Sequence, residues 1–192
     1  TVTEPTSNGI GGDAFALVWD GSKLHGLNAS GPAPALLSKG ALKKPDAINP
    51  YGWEAVTVPG AVAGWASLSD RFGALPFGSL FEDALRLASD GYPVSPTCAY
   101  YWKKAHDRYR ELLTANEFKH WFSTFAPGGH APQAGALWRS EGHALTLQAI
   151  AESRADSFYR GKLADAIDAF SKATGGYLRG QDLAAFKPEW VE

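Results

Sequence analysis

Glu4-Pro5-Thr6-Ser7-Asn8-Gly9-Ile10-Gly11-Gly12-Asp13, running on into Ala14-Phe15-Ala16-Leu17-Val18-Trp19-Asp20-Gly21, is the stretch that decides how this chain folds. Pro5 stops one element. Gly9, Gly11 and Gly12 let the backbone turn tightly or approach another segment closely. An apolar run of strand length follows, and Asp20-Gly21 opens a turn into a second run, Leu24-His25-Gly26-Leu27. The chain therefore reads as entering in the middle of a strand-forming fold. By itself the glycine cluster is a structural turn into a hairpin. A phosphate cradle would place the glycines after a strand and before a helix, with a Lys or a helix N-terminus behind them. Here they precede a strand, and Asp13 is acidic where a phosphate would sit.

Working outward, residues 14–19 and 23–28 read as two strands joined by Asp20-Gly21-Ser22, and Pro32-Ala33-Pro34 ends the second. Residues 35–42 read as a short helix. Lys43 to Trp53 reads as loop, with Pro45, Asn49-Pro50 and Gly52 as breakers, and Val56-Thr57-Val58 as a short β-like run. Beyond Pro59-Gly60 the pattern turns helical. Val62, Trp65 and Leu68 recur at helical spacing over 61–72, and Gly73 stops them. Residues 78–90 form a second helix with Gly91 as its cap. A third starts at Ser95-Pro96 and runs to about 113, with Tyr101, Ala105, Arg108 and Leu112 along one side. Residues 115–124 read as a short aromatic helix and 127–135 as a long loop. Residues 145–152 are amphipathic. A helix from Ser157 to about residue 173 buries Leu163, Ile167 and Phe170. Asp182 reads as the N-cap of a last turn over 182–186.

Composition bounds the function. The 192 residues carry a net charge of −2, with 45% hydrophobic and 20% charged residues, so the electrostatic footprint of a nucleic-acid or anionic-membrane binder is absent. No apolar stretch is long enough to span a bilayer. The single cysteine, Cys98, excludes an intrachain disulfide. It sits in an apolar-aromatic helix start, as a buried inert thiol does. His25, His106, His120, His130 and His143 are scattered without metal-ligand spacing, so no metal or cofactor is expected, although His130 and His143 flank one loop. Gly-x-Ser-x-Gly is absent. Glu82-Asp83 and Glu189/Glu192 read as solvated acidic pairs. Tyr100-Tyr101-Trp102 with Lys103-Lys104 reads as core packing beside a basic edge. An N-terminal Thr can be a nucleophile with its own amine as base, so Thr1 is a candidate by residue type alone.

The opening stretch resembles the large-subunit core of the gamma-glutamyltranspeptidase family of N-terminal-nucleophile hydrolases. The resemblance continues in order: Leu27-Asn28-Ala29-Ser30-Gly31-Pro32-Ala33-Pro34, then Val56-Thr57-Val58-Pro59-Gly60-Ala61-Val62-Ala63-Gly64-Trp65, Arg71-Phe72-Gly73, Ala84-Leu85-Arg86-Leu87-Ala88, Ser157-Phe158-Tyr159-Arg160-Gly161, Gly175-Gly176-Tyr177-Leu178 and Asp182-Leu183-Ala184-Ala185-Phe186. It spans nearly all of the chain.

The resemblance implies a helix-rich α+β fold, part of an αββα sandwich, with residues 1–34 supplying two sandwich strands and 35–192 a mainly helical lobe. It implies an autoprocessed amidohydrolase or acyltransferase, with glutathione metabolism as the family's context. The catalytic Thr lies on a small subunit from the same precursor, so this chain alone holds no catalytic residue and is inactive. The partners implied are that subunit and a small amide or peptide substrate, without nucleic acid. Family members are commonly periplasmic or secreted. Two other readings stay open: a non-catalytic helical interaction domain, and a stand-alone hydrolase using Thr1.

In transpeptidases of this family an Arg-Glu pair precedes x-Ala-Pro, and the Arg grips the substrate's α-carboxylate. A carboxylate leaving water wants such a bidentate guanidinium. Ser30 and Gly31 stand at those positions here, and neither supplies a positive fork. Ser30 and Gly31 are thus the expected substrate-binding residues, in a chain that resembles the acylase-like branch, where either the substrate lacks that α-carboxylate or another Arg reaches in.

Overall fold

The computed structural model describes residues 1–44 and 46–191. Pro45, read above as a loop breaker, and Glu192, paired above with Glu189, lie outside the described residues. In chain order the elements are β1 (Ala14–Trp19), β2 (Leu24–Ala29), α1 (Ala61–Phe72), α2 (Glu82–Asp90), β3 (Tyr92–Pro93), α3 (Pro96–Leu112), α4 (Lys119–Phe125), β4 (Leu137–Trp138), α5 (Glu141–Ser153), α6 (Asp156–Arg160), α7 (Lys162–Ala173), α8 (Gly180–Ala185) and β5 (Glu189–Val191). They gather into two compact units: residues 10–80 with 149–191, and residues 1–9 with 81–148.

The first unit is built on the hairpin. β1 and β2 pair antiparallel, from Ala14 opposite Ala29 to Trp19 opposite Leu24. The Asp20 carboxylate closes the turn, its Oδ1 accepting the Ser22 and Lys23 N–H groups, each at 2.8 Å. Gly21 supplies the positive φ, +100°, that this turn requires. A third strand joins the sheet: β5 pairs antiparallel with β2, Leu27 opposite Trp190. It lies in the part read as mainly helical. Three residues carry no periodicity, and only their pairing with β2 makes them a strand.

α1 covers one face of this sheet. Gly64 faces Ala29, where a Cβ would stand 2.9 Å from the Ala29 Cβ. Leu27, Ala29 and Val62 are buried there. Gly60, the N-cap of α1, has no side chain to satisfy the first helical N–H groups. Distant groups do so instead. The Gly12 carbonyl accepts from Gly60 and Ala61, both at 3.0 Å. The Tyr159 hydroxyl accepts from Ala63 N at 3.0 Å and donates to the Pro59 carbonyl at 2.8 Å. The start of α1 is thus assembled from three separate parts of the chain.

The second unit packs α3 and α4 around Trp102, which is fully buried and donates its indole N–H to the Phe125 carbonyl at 2.9 Å. Trp138, Phe125 and Tyr92 complete the aromatic core. Ser95 caps α3, accepting the Cys98 N–H at 3.1 Å.

Several local expectations change. Residues 35–42 hold only a single 3-10 turn, Lys39–Ala41. Val56-Thr57-Val58 forms no strand and uses the Val58 N–H on the Pro32 carbonyl instead. The helix expected over 78–90 opens as a 3-10 turn, Phe77–Phe81, before α2. The helix expected from Ser157 breaks at Gly161, whose backbone is extended, into α6 and α7. In α7 the fully buried positions are Ala164 and Ser171, whereas Leu163, Ile167 and Phe170 are half-buried. Asp182 is the third residue of α8 and not its cap, its Oδ2 accepting the Arg179 N–H at 2.9 Å. On α3 the side carrying Tyr101 and Leu112 faces solvent, and Cys98, Ala99, Trp102 and His106 are buried.

Candidate functional site

β2 delivers Ser30 and Gly31 to a corner where three segments meet: 12–13, 29–32 and 58–61. The crossing is backbone on backbone. A Cβ on Gly31 would overlap the Val58 carbonyl oxygen and stand 2.7 Å from its carbon and 2.8 Å from the Val58 Cβ. A Cβ on Gly60 would overlap the Ala29 carbonyl in the same way. Gly31 is therefore glycine because nothing larger fits. Its N–H donates to Asp13 Oδ1 over 3.4 Å. Ser30 is half-buried. Both its N–H and its hydroxyl donate to one atom, Asn28 Oδ1, at 2.9 and 2.8 Å. Asp13 is exposed and has no ion-pair partner among the described residues.

The reading of the sequence missed two features here. Asn28 orients Ser30 through an i, i+2 contact that only the bend after β2 creates. Behind the sheet, Asp20 Oδ2 lies 2.7 Å from His25 Nε2, and Arg71 Nη2 lies 2.9 Å from His25 Nδ1. Arginine only donates, so Nδ1 accepts and the imidazole is neutral, with its proton on Nε2 toward Asp20. That bond from His25, together with the turn N–H groups, holds the Asp20 carboxyl well below the usual carboxylate range. Arg71 also lies over the Trp190 ring, 4.4 Å from its centroid, tying α1 to β5. The spacing Asp20-Gly-Ser-Lys-Leu-His25 across a turn was the available signal.

The remaining candidates belong to other segments than this corner. Thr1 is half-buried. Cys98 is buried, which pushes its thiol up. His143 packs against Phe125 and Trp138, bonds Ser140 Oγ at 2.8 Å, and is lowered by burial. His130 is exposed and bonds the Ala131 carbonyl at 3.3 Å. Glu82 and Asp83 are exposed, Asp83 pairing with Arg86 at 3.1 Å. Of the aromatic run, only Trp102 is core, while Tyr100 and Tyr101 are exposed. Among the described residues, no group of three or more His, Cys, Asp or Glu could hold a metal, and no helix is long and apolar enough to cross a membrane. A cleft of about 390 Å³ beside α1 and α6 is lined by Ser67, Asp70, Arg154, Tyr159, Arg160 and Lys187 among others. Its arginines already have partners, Arg154 on Asp70 and Arg160 on Asp156 and the Ala184 carbonyl.

The sheet's other face is apolar and open. Phe15, Leu17 and Trp19 alternate outward from β1 at 70, 75 and 64% exposure, with Leu24 and Val191 beside them. A sheet covered by helix on one side and bare and apolar on the other has a face that a further layer can cover. The family described as gamma-glutamyltranspeptidase matches residues 1–192, and the chain belongs to that family. It is 55% identical to cephalosporin acylase from Bacillus halodurans, with a TM-score of 0.96 over 100% of this chain and 36% of that one. Against Helicobacter pylori gamma-glutamyltranspeptidase the identity is 30% and the TM-score 0.87, over 100% of this chain and 55% of that one. Glutathione hydrolase proenzyme 1 of Schizosaccharomyces pombe is 33% identical over 181 residues, 94% of this chain and 28% of that protein. The chain spans between 28 and 36% of the length of the first curated relatives it matches. The fold is helix-rich α+β, a part of the N-terminal-nucleophile hydrolase sandwich.

Proposed function

We propose that this chain is the scaffold part of a gamma-glutamyltranspeptidase-like amidohydrolase or acyltransferase whose Thr nucleophile is carried by the rest of the polypeptide. The observation that carries this reading is the open apolar face of β1. Exposed patches of this kind mark interaction sites. In a chain spanning about a third of its relatives' length, the occupant is the second sheet of the sandwich, on the small subunit released by autoprocessing. The Thr hydroxyl would attack the amide with its own α-amine as base, form an acyl-enzyme, and pass the acyl group to water or an amine. Ser30 and Gly31 would border the acyl pocket, where the missing guanidinium fork excludes tight binding of an α-carboxylate. A buried charge-assisted pair of that kind is worth about 2–5 kcal/mol when one partner is removed.

The test is expression of the full precursor beside residues 1–192 alone, both assayed against acyl p-nitroanilides. The precursor should cleave itself at a Thr and turn over the anilide, and residues 1–192 should not. Leu17→Asp with Trp19→Asp should separate the subunits on a sizing column and abolish turnover. Amide hydrolysis by residues 1–192 alone refutes the assignment.

A further inference from the structure

His25 is buried against Phe72 of α1, with ring centroids 5.3 Å apart, and it is gripped from both sides. Its Nε2 lies 2.7 Å from Asp20 Oδ2 in the hairpin turn, and its Nδ1 lies 2.9 Å from Arg71 Nη2 on α1. A guanidinium has only N–H groups to offer, so this arrangement exists only while Nδ1 carries no proton. A proton there removes the acceptor and sets a second positive charge beside the first. Asp20 does not take that proton in its place, because His25 and the turn N–H groups hold its carboxyl well below the usual carboxylate range. Imidazole is the side chain whose ordinary charge change falls between about pH 5 and 8. The other charged residues of these segments are engaged elsewhere or stand apart: Asp70 pairs with Arg154, Glu189 lies opposite Asn28, and Lys23 is exposed in the turn. Opposite His25 on β1 is Val18, which does not titrate.

What Arg71 holds in turn is the end of the sheet. Its guanidinium lies 4.4 Å from the Trp190 ring centroid, and Phe72 packs edge-on against Trp190 at 5.7 Å. β5 is three residues long and stands last in the order β1-β2-β5, so few ladder bonds fix it and side-chain contacts decide how firmly it stays. Arg71 is itself exposed, so water receives its guanidinium once Nδ1 stops accepting. We propose that His25 is a proton-operated latch on β5: neutral, it keeps Arg71 over Trp190 and β5 on the sheet; protonated, it releases Arg71, and β5 opens from β2. The latch lies wholly within the first unit and does not depend on which acyl group the enzyme takes.

Hydrogen–deuterium exchange of the full-length protein, followed by mass spectrometry of peptides covering residues 189–191 at pH 8 and pH 5, tests the latch. Rates are corrected for the intrinsic pH dependence of exchange with the same peptides in unfolded form. The corrected β5 exchange should rise by roughly three- to tenfold in acid, the worth of one hydrogen bond, while peptides of α3 in the second unit keep their protection. His25→Gln offers Arg71 an amide oxygen that does not titrate, so the acid step should vanish with β5 protected at both pH values. Arg71→Met alters an exposed side chain and leaves His25 in place. It should expose β5 at pH 8 to the level the parent reaches at pH 5, with no further step. A merely structural role for Arg71 would raise exchange equally at both pH values and leave the acid step intact. That result, a parent with equal corrected rates at pH 8 and pH 5, or an acid step that survives His25→Gln overturns the proposal. Should His25→Gln fail to fold, Arg71→Met alone decides it, by whether the step is lost or kept.

Discussion

Replacing Gly31 by Ala adds one methyl group to the most crowded crossing in the first unit. The new Cβ would overlap the Val58 oxygen and sit 2.7 Å from its carbon, against the 3.4 Å of an ordinary contact. Both neighbours are backbone, so no side chain can swing aside. Either strand end must move by the better part of an ångström. Overpacking of this sort costs about 1–3 kcal/mol. The movement also strains the Val58 N–H to Pro32 bond and, through Gly60, the two bonds onto Gly12. Losing one of these adds about 1 kcal/mol. The expected destabilisation is about 3 kcal/mol, or on the order of 10 °C in melting temperature. Gly11→Ala is the internal comparison, because a Cβ there meets nothing within 4 Å. Differential scanning calorimetry of the two variants and the parent gives the answer. If Gly31→Ala melts within about 2 °C of Gly11→Ala, the steric account of this corner is wrong. The result also bears on design: grafting an Arg-Glu pair as Ser30→Arg with Gly31→Glu should yield a destabilised protein instead of a transpeptidase.

Tyr159→Phe removes the hydroxyl that closes the start of α1 and should cost about 1–3 kcal/mol, read by chemical denaturation. Burial pushes the Tyr159 phenol up to about 12, while the Ala63 N–H pulls the other way. The unfolded phenol ionises near 10. Its contribution is therefore complete below about pH 10 and lost as the pH rises to about 12, a slope that Tyr159→Phe should remove. Glu54 is buried and accepts the Lys43 and Asn49 N–H groups at 2.9 and 3.2 Å, which hold its carboxyl below the usual value. Its contribution is present at neutral pH and lost on acidification, so amide exchange at residues 43 and 49 should accelerate in acid, and at all pH values in Glu54→Gln. Arg71→Met breaks the His25 bond and the stacking on Trp190, and should raise exchange at the β5 amides with a loss of about 1 kcal/mol.

Local chemistry made part of this molecule legible. α1 is bounded as Pro59-Gly60 and Gly73 announce, and the β1–β2 hairpin follows from alternation around an Asp-Gly turn. What escaped depends on residues far apart. β5 exists because β2 has a free edge for Trp190 to lie along. The breaks in the 78–90 and 157–173 segments are local by contrast, since Gly78-Ser79 and Gly161 are poor helix formers where the regular helix is interrupted. At the corner after β2, the family resemblance alone named Ser30 and Gly31. The hydrogen bonding of Ser30 was not legible, because it is decided by the rotamer of Asn28, and neither was the confinement of Gly31, because it is decided by Val58, 27 residues away.

The phenol of Tyr159 reaches across 96 residues of chain to Ala63. On a ribosome adding about 5–20 residues per second, the first turn of α1 waits roughly 5–20 seconds for that group to be made. During this interval the hairpin can close and the helix can form, but the helix start is still an open end, with Ala63 bonded to water. The nascent chain is thus held in a half-finished state until α6 emerges. Synonymous changes that slow translation between α1 and α6 would lengthen its exposure, while the finished protein would carry no trace of them.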